Sequence, residues 1–259
     1  MGRVYLIGAG PGDPELLTVK AARLLASADI VLYDSLVSHE ILNLISASAQ
    51  KIDVGKRAGQ KLLTQDEINS LLISYAANQE TVVRLKGGDP SIFGRAGEEI
   101  AALREASVPF EIVPGITAAL GAAAAAGISL TDRRVASQVL FTTFSRGSDA
   151  SQMDWGCVTA TTTLVLYMPG TNYAEVGQRL LAGGLPSDQP CAIISNASRA
   201  NQEVRYTNIS LLLTDKTLPA PALVIVGRVA SQELAELSTQ FWSAGQARED
   251  RQISKATLI

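Results

Sequence analysis

Three glycines stand in GAGPGDPELLT, residues 8–18, directly after the apolar run RVYLI, and their spacing suggests a nucleotide-binding turn. A dinucleotide site needs G-x-G-x-x-G between a strand and a helix, with an acidic residue about 20 positions further on. Gly8 and Gly10 meet the first half, and Asp34 ends the next strand-like run, DIVLYD. The third glycine is missing, because position 13 is Asp. A carboxylate there repels a pyrophosphate seated on the helix N-terminus. Pro11 and Pro14 also remove backbone N–H donors that a phosphate cradle uses. No G-x-x-x-x-G-K-[ST] sequence occurs either. The loop is glycine-rich for backbone reasons and disfavours a dinucleotide oxidoreductase.

A second loop of the same character is RLKGGDPSIFGRAGEE, residues 84–99, in which Gly87 and Gly88 permit close backbone approach and Asp89-Pro90 again offers few donors. A third is VPGITAALGAAAAAG, residues 113–127, whose small side chains let a ligand or another backbone lie close. In an open parallel sheet all three leave the carboxyl ends of strands, where ligands bind. They imply a close-fitting ligand, held by backbone, that need not carry phosphate.

The elements that must position these loops follow from periodicity. RVYLIG, DIVLYD, QKIDVG, ETVVRLK and VPFEIVPG read as strands. Between them PELLTVKAARLLASA, SHEILNLISAS, TQDEINSLLISYAAN and GRAGEEIAALREA read as helices, the third opening on a Thr64–Glu67 capping-box spacing. Such alternation predicts right-handed crossovers and a mainly parallel sheet. After residue 134 the pattern is mixed: SQVLFTTF, TTLVLYMPG, QPCAIISNAS, QEVRYTNIS and PALVIVGRVA are strands, several antiparallel, with one helix, NYAEVGQRLLAG. The expectation is an α/β protein of two domains, residues 1–116 and 117–246, with a polar tail at 247–259.

Composition limits the function classes. The chain has 259 residues, 47% hydrophobic and 18% charged, which excludes disorder and allows a sizeable core. Its 22 basic and 25 acidic residues give a net charge of −3, so no global field attracts nucleic acid or an anionic membrane. Cys157 and Cys191 are too few and too far apart for a disulfide framework and read as reduced, mostly buried thiols. His39, the sole histidine, reads as a helix cap or surface residue and cannot supply a metal set. Trp155 and Trp242 read as packing residues, Trp242 alternatively as a dimer contact. The start does not read as a signal peptide, and ITAALGAAAAAGISL is shorter than a bilayer span of about 20 residues, so a cytoplasmic protein is expected.

GAGPGDPELLT, LYDSLVS, VGKRAG, RLKGGDPSIFGRAGEE, VPGITAALGAAAAAGISLT, TLVLYMPG and PALVIVGRV, taken in this order over nearly the whole chain, resemble the uroporphyrinogen III C-methyltransferases among the tetrapyrrole methylases. The resemblance implies a homodimer of two α/β domains with a ligand cleft between them. It also implies two successive methyl transfers from S-adenosylmethionine to uroporphyrinogen III, through precorrin-1 to precorrin-2, feeding sirohaem- and cobalamin-type pathways, with S-adenosylhomocysteine as by-product and no metal. Carried over residue by residue, Pro11, Gly87, Gly88, Asp89, Ile92, Thr117, Ala118, Met168 and Ala197 are the cofactor-site positions. Asp34 and Lys56 take its catalytic or substrate-positioning places.

Methyl transfer to an electron-rich pyrrole carbon needs alignment first, then a carboxylate to stabilise the charge that builds on the pyrrole nitrogens, then a base for the departing proton. Asp34 is the candidate for the carboxylate, and Asp34 or a deprotonated neighbour for the base; the plainer reading of Asp34 is a cap on the following helix. The eight carboxylates of the substrate call for local cations, and Lys56 with Arg57, Arg95, and Arg133 with Arg134 are the candidates. Their plainer reading is solvated surface charge, as that of Met168 is core packing. The chain departs from the family pattern at Thr131-Asp132 (usually Thr-His), at TTFSRG, 142–147 (usually with Thr-Gly-His), and at Gln60-Lys61, where a histidine is common. These departures bear on substrate contacts rather than on the cofactor loops. They leave a sister methyltransferase acting on a later precorrin, or an inactive cofactor- or tetrapyrrole-binding homologue, as alternatives.

Overall fold

The computed structural model describes residues 2–55, 63–144 and 155–231. Lys56, Arg57, Gln60, Lys61, the end of TTFSRG, Trp242 and the expected polar tail lie outside them. The chain divides into two compact units, one running to Gly121 and including Ala197–Ala200, the other holding the remaining described residues.

The first unit is built on β1 (Arg3–Gly8), β2 (Ile30–Tyr33), β3 (Gln50–Asp53), β4 (Thr81–Lys86) and β5 (Phe110–Val113). They form one sheet in the order β3-β2-β4-β1-β5, and all pairings are parallel. Side chains alternate strictly between its faces. Ile7, Val31, Val83 and Leu85 pack with α1 (Val19–Ala26) and α2 (His39–Leu42). Val4, Leu6, Ile30, Leu32 and Val82 pack with α3 (Gln65–Asn78) and α4 (Ala96–Glu105). Strands covered on both faces read as continuous apolar runs, as β2 does and as β4 does not.

Local chemistry sets the helix ends. The expected capping box forms: the Thr64 hydroxyl accepts from the Glu67 amide at 3.2 Å, and the Glu67 carboxylate accepts from the Thr64 amide at 2.7 Å. Thr64→Ala is expected to cost about 1 kcal/mol, measurable by chemical denaturation. The first predicted helix is divided. Asp13 accepts from the Glu15 amide at 2.8 Å and caps a 3-10 turn over Pro14–Leu16, after which Thr18 starts α1 afresh by accepting from Ala21. Asp13 therefore replaces the third fingerprint glycine because it is a cap.

In the second unit β6 (Gln138–Thr143), β7 (Thr162–Tyr167), β8 (Pro190–Ser195), β9 (Glu203–Asn208) and β10 (Ala222–Val226) form a sheet in the order β6-β7-β10-β8-β9. Only β6–β7 is parallel, which gives the expected mixed sheet, and β8–β9 is the expected antiparallel neighbour pair. Helices α6 (Tyr173–Ala182) and α7 (Ile209–Leu212) pack on Leu164, Leu166, Ile193, Val224 and Val226. The run read as the strand QEVRYTNIS ends at Asn208, which caps α7 by accepting from the Leu211 amide at 2.9 Å. α5 (Ala118–Ala125) contains the division between the units. Cys191 is buried in β8, but Cys157 is exposed, a correction to the expected pair of mostly buried thiols: in its 3-10 turn, Trp155–Cys157, the neighbours Trp155 and Val158 pack against the core while Cys157 stays outside it. No helix among the described residues is long and apolar enough to cross a membrane.

Candidate active site

Asp34 follows β2 directly, at the carboxyl edge of the parallel sheet, with its side chain partly exposed. It does not cap α2: Ser38 holds that position, and the Asp34 carboxylate turns to the neighbouring strand. There it accepts from Arg84 Nη2 at 2.5 Å. The capping alternative for Asp34 is thereby replaced by an ion pair.

Arg84 and Lys86 are site residues that sequence reasoning passed over. They alternate with Val83 and Leu85 along β4, the middle strand, so both point to the face covered by α3 and α4 and are only 2% and 3% exposed. Glu99, fully buried on α4, meets both: Arg84 Nε and Lys86 Nζ each donate to its Oε1 at 2.9 Å. Arg84 Nη1 donates to the carbonyls of Leu85 (3.2 Å) and Leu32 (3.5 Å). Burial lowers the Lys86 pKa, and Arg84 beside it adds to the effect, while Glu99 and Asp34 oppose it. The signal lies in the topology: two cations two residues apart in a strand covered on both faces must be paired inside the protein.

The three glycine loops converge where β1, β4 and β5 end. Gly10 and Gly88 exchange backbone hydrogen bonds at 3.0 and 2.8 Å, so the first two loops pair as a short antiparallel bridge. A methyl group on Gly8 would lie 2.6 Å from the Gly88 carbonyl oxygen and 2.7 Å from Gly115 Cα, so three backbones touch here with no space for side chains. Asp89 fastens the second loop to the third by accepting from the Gly115 amide at 2.9 Å, and it closes its own turn by accepting from the Ser91 amide at 2.8 Å. Pro11 packs so tightly on Gly121 of α5 that a Cβ there would stand 2.6 Å from its ring. Thr117 is buried just before α5, with Ala118 half-buried behind it, and Ile92 is half-buried in the second loop. Six of the nine expected cofactor positions, Pro11, Gly87, Gly88, Asp89, Thr117 and Ala118, are thus gathered on these loops, and Ile92 joins them through the hydrogen bond that its amide donates to the Asp89 carbonyl.

The others are placed as follows. Ala197 begins the short segment that belongs to the first unit, in which Arg199 lies across Gly12 and donates to the Leu36 carbonyl at 2.5 Å. Met168 follows β7 in the second unit, left-handed (φ 51°) and 47% exposed, so it is not a core residue. Arg95 begins α4, also left-handed, and forks onto Glu98 with two bonds of 2.7 Å at the surface. Arg133 is exposed; Arg134 is exposed and forks onto Asp132. His39 is exposed at the start of α2, and Trp155 packs edge-on against Phe144.

The Asp132–Arg134 pair carries a pH signature. Hydrogen bonds from the Arg134 side chain and backbone hold the Asp132 carboxyl down at about 2. A depressed carboxyl pKa stabilises the fold above the ordinary value of about 3.9 and ceases to do so as pH falls through the depressed one. Titration of the Asp132 side chain by NMR is expected to give a midpoint near 2, returning toward the ordinary value in Arg134→Ala.

Residues 3–212 match the family described as tetrapyrrole (corrin/porphyrin) methylases. A uroporphyrinogen-III C-methyltransferase of Paracoccus denitrificans is 47% identical over 89% of the chain and 82% of its own length. Siroheme synthase 1 of Yersinia enterocolitica is 44% identical over 99% of the chain but only 54% of its own length, so the chain spans about half of that relative. Among solved structures, the uroporphyrin-III C-methyl transferase of Thermus thermophilus complexed with S-adenosylhomocysteine superposes with a TM-score of 0.76 at 38% identity. It covers 88% of this chain and 98% of that one. With its sheets, its glycine loops and the match over residues 3–212 in agreement, the chain belongs to the tetrapyrrole methylase family.

Proposed function

We propose that the protein methylates carbon atoms of uroporphyrinogen III twice in succession, using S-adenosylmethionine, to give precorrin-2 by way of precorrin-1. The product serves sirohaem- or cobalamin-type biosynthesis, and the enzyme works as a cytoplasmic homodimer. The observation that carries the reading is the joining of three donor-poor glycine loops, fastened by Asp89, at the same sheet edge as an ion-paired aspartate. The complex of the Thermus relative with S-adenosylhomocysteine supports the choice of methyl donor.

The residues present fit that donor. It carries an amine, a carboxylate and a sulfonium but no phosphate, and loops that hold Asp13, Asp89, Pro11 and Pro14 are poor phosphate cradles. A Cβ on Gly10 or on Gly88 would meet nothing nearer than 3.5 Å, so these two glycines are not packed shut. Gly87, Gly88, Ile92, Thr117 and Ala118 would hold it by backbone and apolar contact. When bound, it supplies a methyl group on a positively charged sulfur. The chain's own task is to align the pyrrole carbon with that methyl, which alone can lower the barrier by about 7–11 kcal/mol. The Asp34 carboxylate, paired with Arg84, stabilises cationic pyrrole N–H groups and takes the proton that the ring releases. Lys56 and Arg57, together with Arg133, supply cations for the substrate carboxylates.

Anaerobic incubation with S-adenosylmethionine and enzymatically made uroporphyrinogen III is the test, read by mass and absorbance. A dimethylated product is expected. Reaction only with a later precorrin would select the sister activity, and binding without product an inactive homologue.

A further inference from the structure

We infer that Glu99 is a positioning residue for methyl transfer: from the buried face of α4 it anchors Arg84, and Arg84 sets the Asp34 carboxylate at the sheet edge. The inference rests on the proposed role of Asp34 and extends it to a residue that no substrate reaches.

The fold does not require this network. Apolar residues at 84, 86 and 99 could fill a face already formed by Val4, Leu6, Ile30, Leu32 and Val82, and buried ion pairs are often no better for stability than such packing. What the charges provide is direction. Every nitrogen of the Arg84 fork is engaged: Nε by Glu99, Nη1 by two carbonyls of β2 and β4, Nη2 by Asp34. The guanidinium cannot turn without breaking several bonds, so its one outward contact, with Asp34, is fixed from below. Two cations and the side-chain amide of Gln65 converge on the same oxygen of Glu99, while Oε2 is buried with no hydrogen-bond partner among the described residues. Glu99 therefore acts through its charge and the position of α4 rather than by filling its hydrogen-bonding capacity.

The charged groups around Asp34 determine the sign of the expected effect. Arg84 and Lys86 lie on β4, Glu99 on α4, and Asp53 ends β3 opposite Tyr33. Arg95 and Glu98 at the start of α4 neutralise each other. Glu99→Gln keeps an acceptor for Arg84 and Lys86 but removes one negative charge. Arg84 is then left with Asp34 as its only anion, and Asp34 holds its proton less tightly. Lys86→Met removes a cation near Asp34 and shifts its proton affinity the other way. Both shifts are read on the acid limb of the rate profile, where a lysine keeps its proton.

The experiment compares kcat, KM for S-adenosylmethionine, and the pH dependence of kcat/KM in wild type, Glu99→Gln, Lys86→Met and Asp34→Asn. Glu99→Gln is expected to lower kcat about ten- to hundredfold, as misplacement of a reacting group does, with KM for S-adenosylmethionine within about twofold. Its acid limb moves to lower pH, and that of Lys86→Met to higher pH. Loss of the acid limb in Asp34→Asn, together with unshifted limbs in the other two, would overturn the positioning role while leaving Asp34 as the base. Retention of the limb in Asp34→Asn would instead remove the base assignment, and the inference with it. Should Glu99→Gln fail to fold, Glu99→Asp, which keeps the charge but draws the carboxylate back from Arg84, decides alone: a fall in kcat of about tenfold or more at unchanged KM for S-adenosylmethionine supports the inference, and wild-type kcat overturns it.

Discussion

Asp34→Ala is expected to lower kcat by about 10²–10⁴-fold, the range for loss of a positioned proton acceptor, with the affinity for S-adenosylhomocysteine changed no more than about twofold. The division between turnover and binding follows from where the residue stands. Asp34 lies at the end of β2, whereas the donor-poor loops that would hold the cofactor end β1, β4 and β5 and are closed by Asp89. Its removal should also leave the fold intact. Arg84 loses one contact, at Nη2, but keeps Glu99 and the carbonyls of Leu32 and Leu85, so no buried charge is stranded. Single-turnover rates and calorimetric titration on the same preparation check both halves of the expectation. Parallel losses in rate and cofactor affinity would make Asp34 a binding or structural residue and sink the catalytic role.

The contrast between Asp34 and its partners shows what sequence can and cannot deliver. Asp34 stood at the end of an isolated apolar run, beside turn residues, where a carboxylate attracts notice. Arg84 and Lys86 stood inside ETVVRLKGG, where the apolar residues mark a strand and the two cations look like its solvent-facing half. Only the order β3-β2-β4-β1-β5 makes β4 a strand with helices on both faces, and strand order is a long-range property that local periodicity does not carry. Glu99 was hidden for a related reason: it follows Glu98 in GEE, and one of the pair is buried while its neighbour is at the surface, a difference set by the direction α4 faces. Features governed by neighbours a few residues away were legible. The Thr64–Glu67 box and the antiparallel β8–β9 pair are of that kind. Leu16 and Leu17 fitted a helix face by spacing, yet Asp13 and Thr18, each a good cap, broke the segment in two. Local hydrogen bonding overrode hydrophobic period there.

Gly115→Ala is expected to damage both the stability of the first unit and the loops proposed to hold the cofactor. Its Cβ would press on the Gly88 carbonyl oxygen and stand 2.8 Å from Gly8 Cα, contacts with backbone rather than with a side chain that could swing away. Those backbones are the ends of β4 and β1, held by the central ladder of the sheet, so relief requires the loops to part. Overpacking of this kind costs about 1–3 kcal/mol and occasionally more. Parting the loops also strains the bond from the Gly115 amide to Asp89, the fastening between the second and third loops. A loss of about 3 kcal/mol corresponds to a fall in melting temperature of roughly 6–12 °C, at about 2–4 °C per kcal/mol for a chain of this size. S-adenosylhomocysteine affinity should fall with it, because the loops that move are the ones proposed to hold it. Gly97→Ala supplies the opposite sign in the same unit. Gly97 lies within α4, and a methyl group there meets nothing within 4 Å, so the helix gains about 0.5–1 kcal/mol while binding is unchanged. Thermal melts with and without ligand on both variants separate a general intolerance of added volume from a specific closure of three loops. Wild-type melting and binding in Gly115→Ala would show that the loops do not meet at this point, and the reading of the glycines as crossing points for backbone would fail with them.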